Sequence, residues 1–141
     1  MDTQKDQKRN VIKLLRSRGI TPTSQRVKIA SALFEKPQHL TADQVLLMVN
    51  QEGKKVSKAT IYNTLGLFSE KGLIKELNVD SARAFYDSTT HNHYHFFSEE
   101  SQELWDIQEG DLDIKLPENL PPGTEIDRIE TVVYLCKKSD S

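Results

Sequence analysis

The sequence predicts an α+β chain, with helices in the first part and strands in the second. Three observations predict it. Apolar residues recur at helical spacing as far as Lys71. From Leu73 onward the apolar runs become short and strand-like. The charge divides at about the same place: residues 1–82 hold 14 basic and 8 acidic residues, a balance of +6. Residues 83–141 hold 5 basic and 13 acidic, a balance of -8, and the two sum to the chain's -2. A basic front half suits a polyanionic partner, and an acidic back half argues against nucleic acid wrapping there.

The 141 residues suit one domain or two small modules. No stretch approaches the roughly 18 apolar residues of a membrane span, and no apolar run behind the polar N-terminus suits a signal peptide. The one cysteine, Cys136, excludes an intramolecular disulfide and any paired-cysteine zinc site. A reducing, cytoplasmic location without membrane attachment is the resulting expectation.

The first helix is expected over Lys8–Arg16, with Val11, Ile12 and Leu15 on one face and Gly19 as its stop. Thr21-Pro22-Thr23-Ser24 is a turn leading into a capped second helix. Its stripe is Val27, Ala30, Leu33 and Phe34, and Pro37 limits it. Thr41-Ala42-Asp43-Gln44 fits a capping box. The third helix then buries Ala42, Val45, Leu46 and Val49, with Gly53 closing it. Ser57 caps a fourth helix to Lys71, with the stripe Ile61, Leu65 and Phe68. Strands over Leu73–Val79 and Ala82–Tyr86 can form a hairpin around Asp80-Ser81.

Short helices followed by a hairpin indicate a winged helix-turn-helix over residues 1–85. A two-helix unit cannot bury its own stripes, so another helix and a hairpin complete the core. The last helix is then free for a major groove. Its candidate base contacts are Thr60, Tyr62 and Asn63. Lys54, Lys55, Lys58 and Lys71, with Arg26 from the second helix, are candidate phosphate contacts, which position without specifying sequence. Any one lysine reads equally well as solvated surface, and Tyr62 fits packing against the wing as well as base contact.

Three of the four histidines fall in His91-Asn92-His93-Tyr94-His95. Strand alternation sends them to one face. Imidazoles from His93 and His95, with carboxylates from Asp87 and Asp106, suit a divalent transition metal. His39, just before the third helix, would join that site to the front half. Nitrogen and oxygen donors without sulfur favour Fe(II) or Mn(II), with Zn(II) able to compete in vitro. The alternative is a hydrogen-bonded histidine cluster without metal.

These residues resemble the ferric uptake regulator family over nearly the whole chain, about Lys8 to Lys138. The marks are Gly19-Ile20-Thr21-Pro22-Thr23-Ser24-Gln25-Arg26, His39-Leu40-Thr41-Ala42-Asp43, Lys58-Ala59-Thr60-Ile61-Tyr62-Asn63-Thr64-Leu65, Glu70-Lys71-Gly72-Leu73-Ile74 and the histidine cluster. The resemblance implies a winged helix on operator DNA, then an α/β dimerisation domain, here residues 86–141. It implies a homodimer on double-stranded palindromic sites.

Within the family, Phe85-Tyr86-Asp87, His93-Tyr94-His95-Phe96-Phe97, Leu120-Pro121-Pro122-Gly123-Thr124-Glu125-Ile126 and Val132-Val133-Tyr134-Leu135-Cys136 look most like the iron response regulator branch. That branch lacks a cysteine-based structural zinc and responds to haem, so His91, His93 and His95 are implied haem ligands. Tyr94 stands where that branch often has a third consecutive histidine, and no proline follows Cys136. The cluster also resembles the peroxide-sensing branch, which implies His39, Asp87, His93, His95 and Asp106 as five metal ligands. The expectation is therefore a dimeric regulator of iron and haem metabolism, acting through a His/Asp cluster between its two domains. The alternative is a Mn(II)- or Fe(II)-dependent repressor sensing metal or peroxide.

The back half supplies Phe96, Leu104, Trp105, Ile107, Leu112, Ile114, Leu116, Ile129, Val132, Val133 and Leu135, more apolar surface than about 55 residues readily hide alone. A two-fold pairing would bury it. Two further classes compete with a regulator. His93, His95 and Asp87 can mimic the two-histidine, one-carboxylate site of a non-haem metal enzyme, but no general base or substrate-pocket motif accompanies them. A metal-storage or protein-binding module would show no sequence-specific DNA affinity. The expectation is not an enzyme.

Overall fold

The computed structural model describes residues 4–80, 83–89 and 94–139. The chain divides into two compact units, residues 1–90 and 91–141. Mixed α+β architecture is present: a helical first unit with a small sheet, and a second unit built on a sheet. Among the described residues, no helix is long and apolar enough to cross a membrane.

In the first unit, α1 spans Gln4–Ser17 and buries Val11 and Leu15. It begins earlier than its apolar stripe because the polar first turn continues the helix without needing burial. At its end the Ile20 N–H donates to the Leu15 carbonyl at 2.9 Å, with Gly19 at φ +72° making the turn. The second helix, α2 (Ser24–Leu33), is capped by Thr23, whose side chain accepts from the Arg26 N–H. It buries Val27, Ile29, Ala30 and Leu33. The expected capping box is present in α3 (Ala42–Val49): Thr41 and Gln44 exchange hydrogen bonds at 3.2 and 2.8 Å. Its N-terminus is thereby satisfied on two donors. Asn50, ahead of Gly53, is the residue that ends α3.

The fourth helix, α4 (Lys58–Glu70), is capped by Ser57 and buries Ile61, Thr64, Leu65 and Phe68. Leu15, Ile29, Leu33, Val45, Ile61, Leu65 and Phe68 form one core with Leu73 and Ile74. Leu73 and Ile74 therefore follow α4 as core residues, and the strand expected from Leu73 starts two residues later.

A three-stranded antiparallel sheet completes this unit. Its strands are β1 (His39–Thr41), β2 (Lys75–Asp80) and β3 (Arg83–Asp87), in the order β1-β3-β2. The hairpin of β2 and β3 was legible in the sequence. β1 was not, because three residues show no alternation and its partner lies far along the chain.

The second unit holds β4 (His95–Ser98), β5 (Glu103–Asp106) and β6 (Val132–Leu135) in the order β5-β4-β6. β4 and β5 form an antiparallel hairpin turning at Gln102, φ 61°. β4 and β6 are parallel. Among the described residues of this unit there is no helix, so the long connection from β5 to β6 is irregular. Pro117, Pro121 and Pro122 oppose a helix there. Phe97 is fully buried and meets the Tyr134 ring edge-on at 6.0 Å.

Candidate DNA-binding helix and histidine–carboxylate pairs

The amphipathicity of α4 decides which of its side chains face outward. With Ile61, Thr64, Leu65 and Phe68 buried, Lys58, Ala59, Tyr62 and Asn63 are left exposed. The Ser57 hydroxyl accepts from the Thr60 N–H at 3.1 Å and lies 2.9 Å from the Thr60 hydroxyl. Thr60 is thus committed at its oxygen to the cap. Tyr62 is 46% exposed. The Lys58 ammonium sits over its ring, 5.8 Å from the centroid, and 3.6 Å from Asp43 on α3. A cation in a helix's first turn opposes the macrodipole, and Asp43 offsets that charge.

Two of the other basic candidates are tethered by backbone oxygens. Arg26 donates to the Thr21 carbonyl at 3.0 Å. Lys55 donates to the Asn50 carbonyl. Lys54 and Lys55 are exposed on the turn before α4, and Lys71 is the residue that caps its C-terminus.

Among the described residues two histidine–carboxylate pairs occur, one in each unit. In the first, β1 pairs with β3 so that His39 lies opposite Asp87. His39 Nε2 is 3.2 Å from Asp87 Oδ2. The Asp87 side chain is 1% exposed, and its other oxygen accepts the Thr89 N–H at 2.8 Å. A buried carboxylate is costly without such partners. Here one oxygen is held by the backbone and the other faces the imidazole. In the second unit, β4 pairs with β5 so that His95 lies opposite Asp106. His95 Nε2 is 3.3 Å from Asp106 Oδ1, with the imidazole buried and the carboxylate half exposed. His91 and His93 lie outside the described residues.

These spacings test the fit to a metal ion. Nitrogen and oxygen ligands at about 2.1 Å from a first-row divalent ion, set roughly at right angles, lie about 3 Å apart. Both pairs have that separation, and both offer imidazole nitrogen with carboxylate oxygen. The donor set suits Fe(II), Mn(II) or Zn(II) better than a soft ion.

Tyr86, next to Asp87, is buried, and its phenol is pushed above its ordinary value. Burial is the main cause, with the Glu76 charge across the sheet and Tyr62 adding to it. It remains neutral at physiological pH. Sequence reasoning missed β1 as the strand that sets His39 against Asp87, and Thr89 as the second partner of that carboxylate. Neither leaves a local signal, since both depend on sheet register.

The chain is similar to known proteins over most of its length. The profile of the Ferric uptake regulator family matches residues 17–133. The peroxide-responsive repressor PerR of Staphylococcus saprophyticus is 34% identical over 113 residues, covering 80% of this chain and 76% of that protein. Among solved structures, the ferric uptake regulator of Pseudomonas aeruginosa with manganese superposes with a TM-score of 0.69 at 25% identity, over 89% of this chain and 96% of that one. The structure of PerR from Streptococcus pyogenes gives 0.50 at 27% identity, over 70% and 68%. With its helical first unit, its sheet-based second unit and a family match spanning most of its residues, the chain belongs to the ferric uptake regulator family of metal-responsive transcriptional regulators, which are not enzymes.

Proposed function

We propose that this chain is a dimeric, operator-binding repressor whose DNA affinity is set by one Fe(II) or Mn(II) ion per chain. His39, Asp87, His93, His95 and Asp106 are its ligands in this reading. The observation that carries it is the pair of histidine–carboxylate contacts, 3.2 and 3.3 Å, each fixed by strand register. A bound divalent ion would supply positive charge and directional bonds to these donors, and Fe(II) would add redox chemistry. The Pseudomonas aeruginosa ferric uptake regulator, solved with manganese, supports a metal of this kind. Tyr62 and Asn63 read bases in this account, with Thr60 adding a methyl contact. Lys54, Lys55, Lys58, Lys71 and Arg26 meet phosphates. The domain assignment is a DNA-binding part up to about residue 85 and a dimerisation and sensing part from residue 86, in the cytoplasm.

A second reading is regulation of iron and haem metabolism with haem as effector. It is favoured by the single cysteine, Cys136, which leaves no cysteine pair for a structural zinc. The one or two axial donors would then come from among His91, His93 and His95.

A gel-shift titration on an iron-regulated promoter fragment separates the two. Wild-type protein is compared after chelator treatment, after Mn(II) loading and after haem addition. Binding lost on chelation and regained with Mn(II) is the result expected. Tight binding without metal that haem abolishes would overturn the metal reading in favour of haem.

A further inference from the structure

The turn between α3 and α4 carries Lys54 and Lys55 and delivers Ser57, the cap of α4. Eight residues without regular structure separate the two helices. A turn that must present charges and start a helix at one angle needs fixing. Besides the Lys55 bond to the Asn50 carbonyl, two side chains fix it. Asn50, at the end of α3, accepts the Val56 N–H on Oδ1 at 2.8 Å and donates from Nδ2 to the Val56 carbonyl at 2.9 Å. From the other side comes Lys28, on α2. Its ammonium donates to the Glu52 carbonyl at 2.7 Å and the Lys54 carbonyl at 2.8 Å. Those carbonyls flank Gly53, which has φ +78° and whose absent Cβ would lie 3.5 Å from the Lys28 nitrogen. The backbone therefore wraps around the ammonium.

We propose that Lys28 is a positioning residue for DNA recognition, acting through the turn and making no phosphate contact of its own. The proposal rests on the reading of α4 as the recognition helix. Two of the three ammonium donors are spent on carbonyls, which leaves the charge committed to the protein. Hydrogen bonds from a charged donor are among the stronger kind. Their geometry sets where the Lys54 and Lys55 side chains leave the backbone and where α4 begins.

The test uses the full chain loaded with Mn(II) and a duplex selected by the wild-type protein from a random-sequence pool. Affinity is measured against salt for wild type, K28Q and K28R. A phosphate-contacting lysine contributes roughly 0.9 to the slope of log K against log salt. A positioning lysine contributes little to the slope when removed. The expected result for K28Q is an affinity loss of roughly tenfold with the slope unchanged, and substantial recovery in K28R, whose guanidinium can still donate to two carbonyls. Amide exchange in the DNA-free protein is the independent readout. K28Q should quicken exchange across Gly53–Ser57, while the α4 core amides stay protected.

A slope reduced by about 0.9 would overturn the proposal in favour of a direct phosphate contact. Unaltered exchange and affinity would overturn it as well. So would loss of protection throughout the unit, which would make Lys28 a residue of general stability. A wild-type protein that enriches no sequence from the pool would instead sink the recognition-helix reading, with the exchange data still deciding whether Lys28 holds the turn.

Discussion

Tyr62 and Asn63 are where sequence and structure meet most directly, because their exposure follows from the burial of Ile61, Leu65 and Phe68 on the opposite face. If α4 reads bases through them, Tyr62→Ala and Asn63→Ala each weaken binding to a selected duplex by about 1–3 kcal/mol. Unfolding midpoints stay at the wild-type value, since both side chains are exposed. Fluorescence anisotropy with a labelled duplex checks the first point and urea unfolding the second. Equal affinity for all three proteins would remove the assignment. Asp43 makes a different prediction. It holds the Lys58 ammonium at 3.6 Å, and both side chains are well exposed, so the pair adds little to stability. Asp43→Asn should release Lys58 toward phosphate and steepen the salt dependence of DNA binding, with unfolding unchanged. An unaltered slope would mean that Asp43 does not restrain Lys58.

At the scale of elements, much of the first unit could be read from local signals. Thr41 and Gln44 announced the start of α3, Ser57 that of α4, and the apolar stripes named most of the buried residues. Each signal lies within a few residues of the structure it specifies. The sheet was less legible because its information is distributed. β1 is three residues long and becomes a strand only through β3, so no reading of His39-Leu40-Thr41 alone reveals it. The same register places His39 opposite Asp87, and the sequence offers only the residue types for that pair. The clasp of Lys28 around Gly53 was hidden for the same reason, as a contact between segments about 25 residues apart. β1 also runs straight into the cap of α3, so Thr41 serves two elements. Thr41→Ala should cost about 1 kcal/mol through loss of the capping bonds. Urea unfolding followed by circular dichroism measures it, and a midpoint equal to wild type would show that Gln44 and water replace the hydroxyl.

For the whole molecule, the second unit alone is an incomplete structure by the usual standards of burial. Trp105, Ile114, Leu116, Ile126, Tyr134 and Leu135 are each at least 37% exposed on a unit of about 50 residues. Both edge strands, β5 and β6, carry part of this surface. Open edges with apolar side chains invite pairing with another chain. In the dimer reading, Tyr134→Glu shifts sedimentation equilibrium from dimer toward monomer, and a dimer of undiminished affinity would place the interface elsewhere. The central claim is that one divalent ion is held jointly by the two histidine–carboxylate pairs. The most direct measurement is a Mn(II) binding isotherm, read by the free-ion electron paramagnetic resonance signal, on wild type, His39→Ala and Asp106→Ala. The account predicts one site per chain in the wild type, weakened by at least tenfold in each variant, because either substitution removes a ligand of the same ion. A site lost in one variant and intact in the other would contradict it.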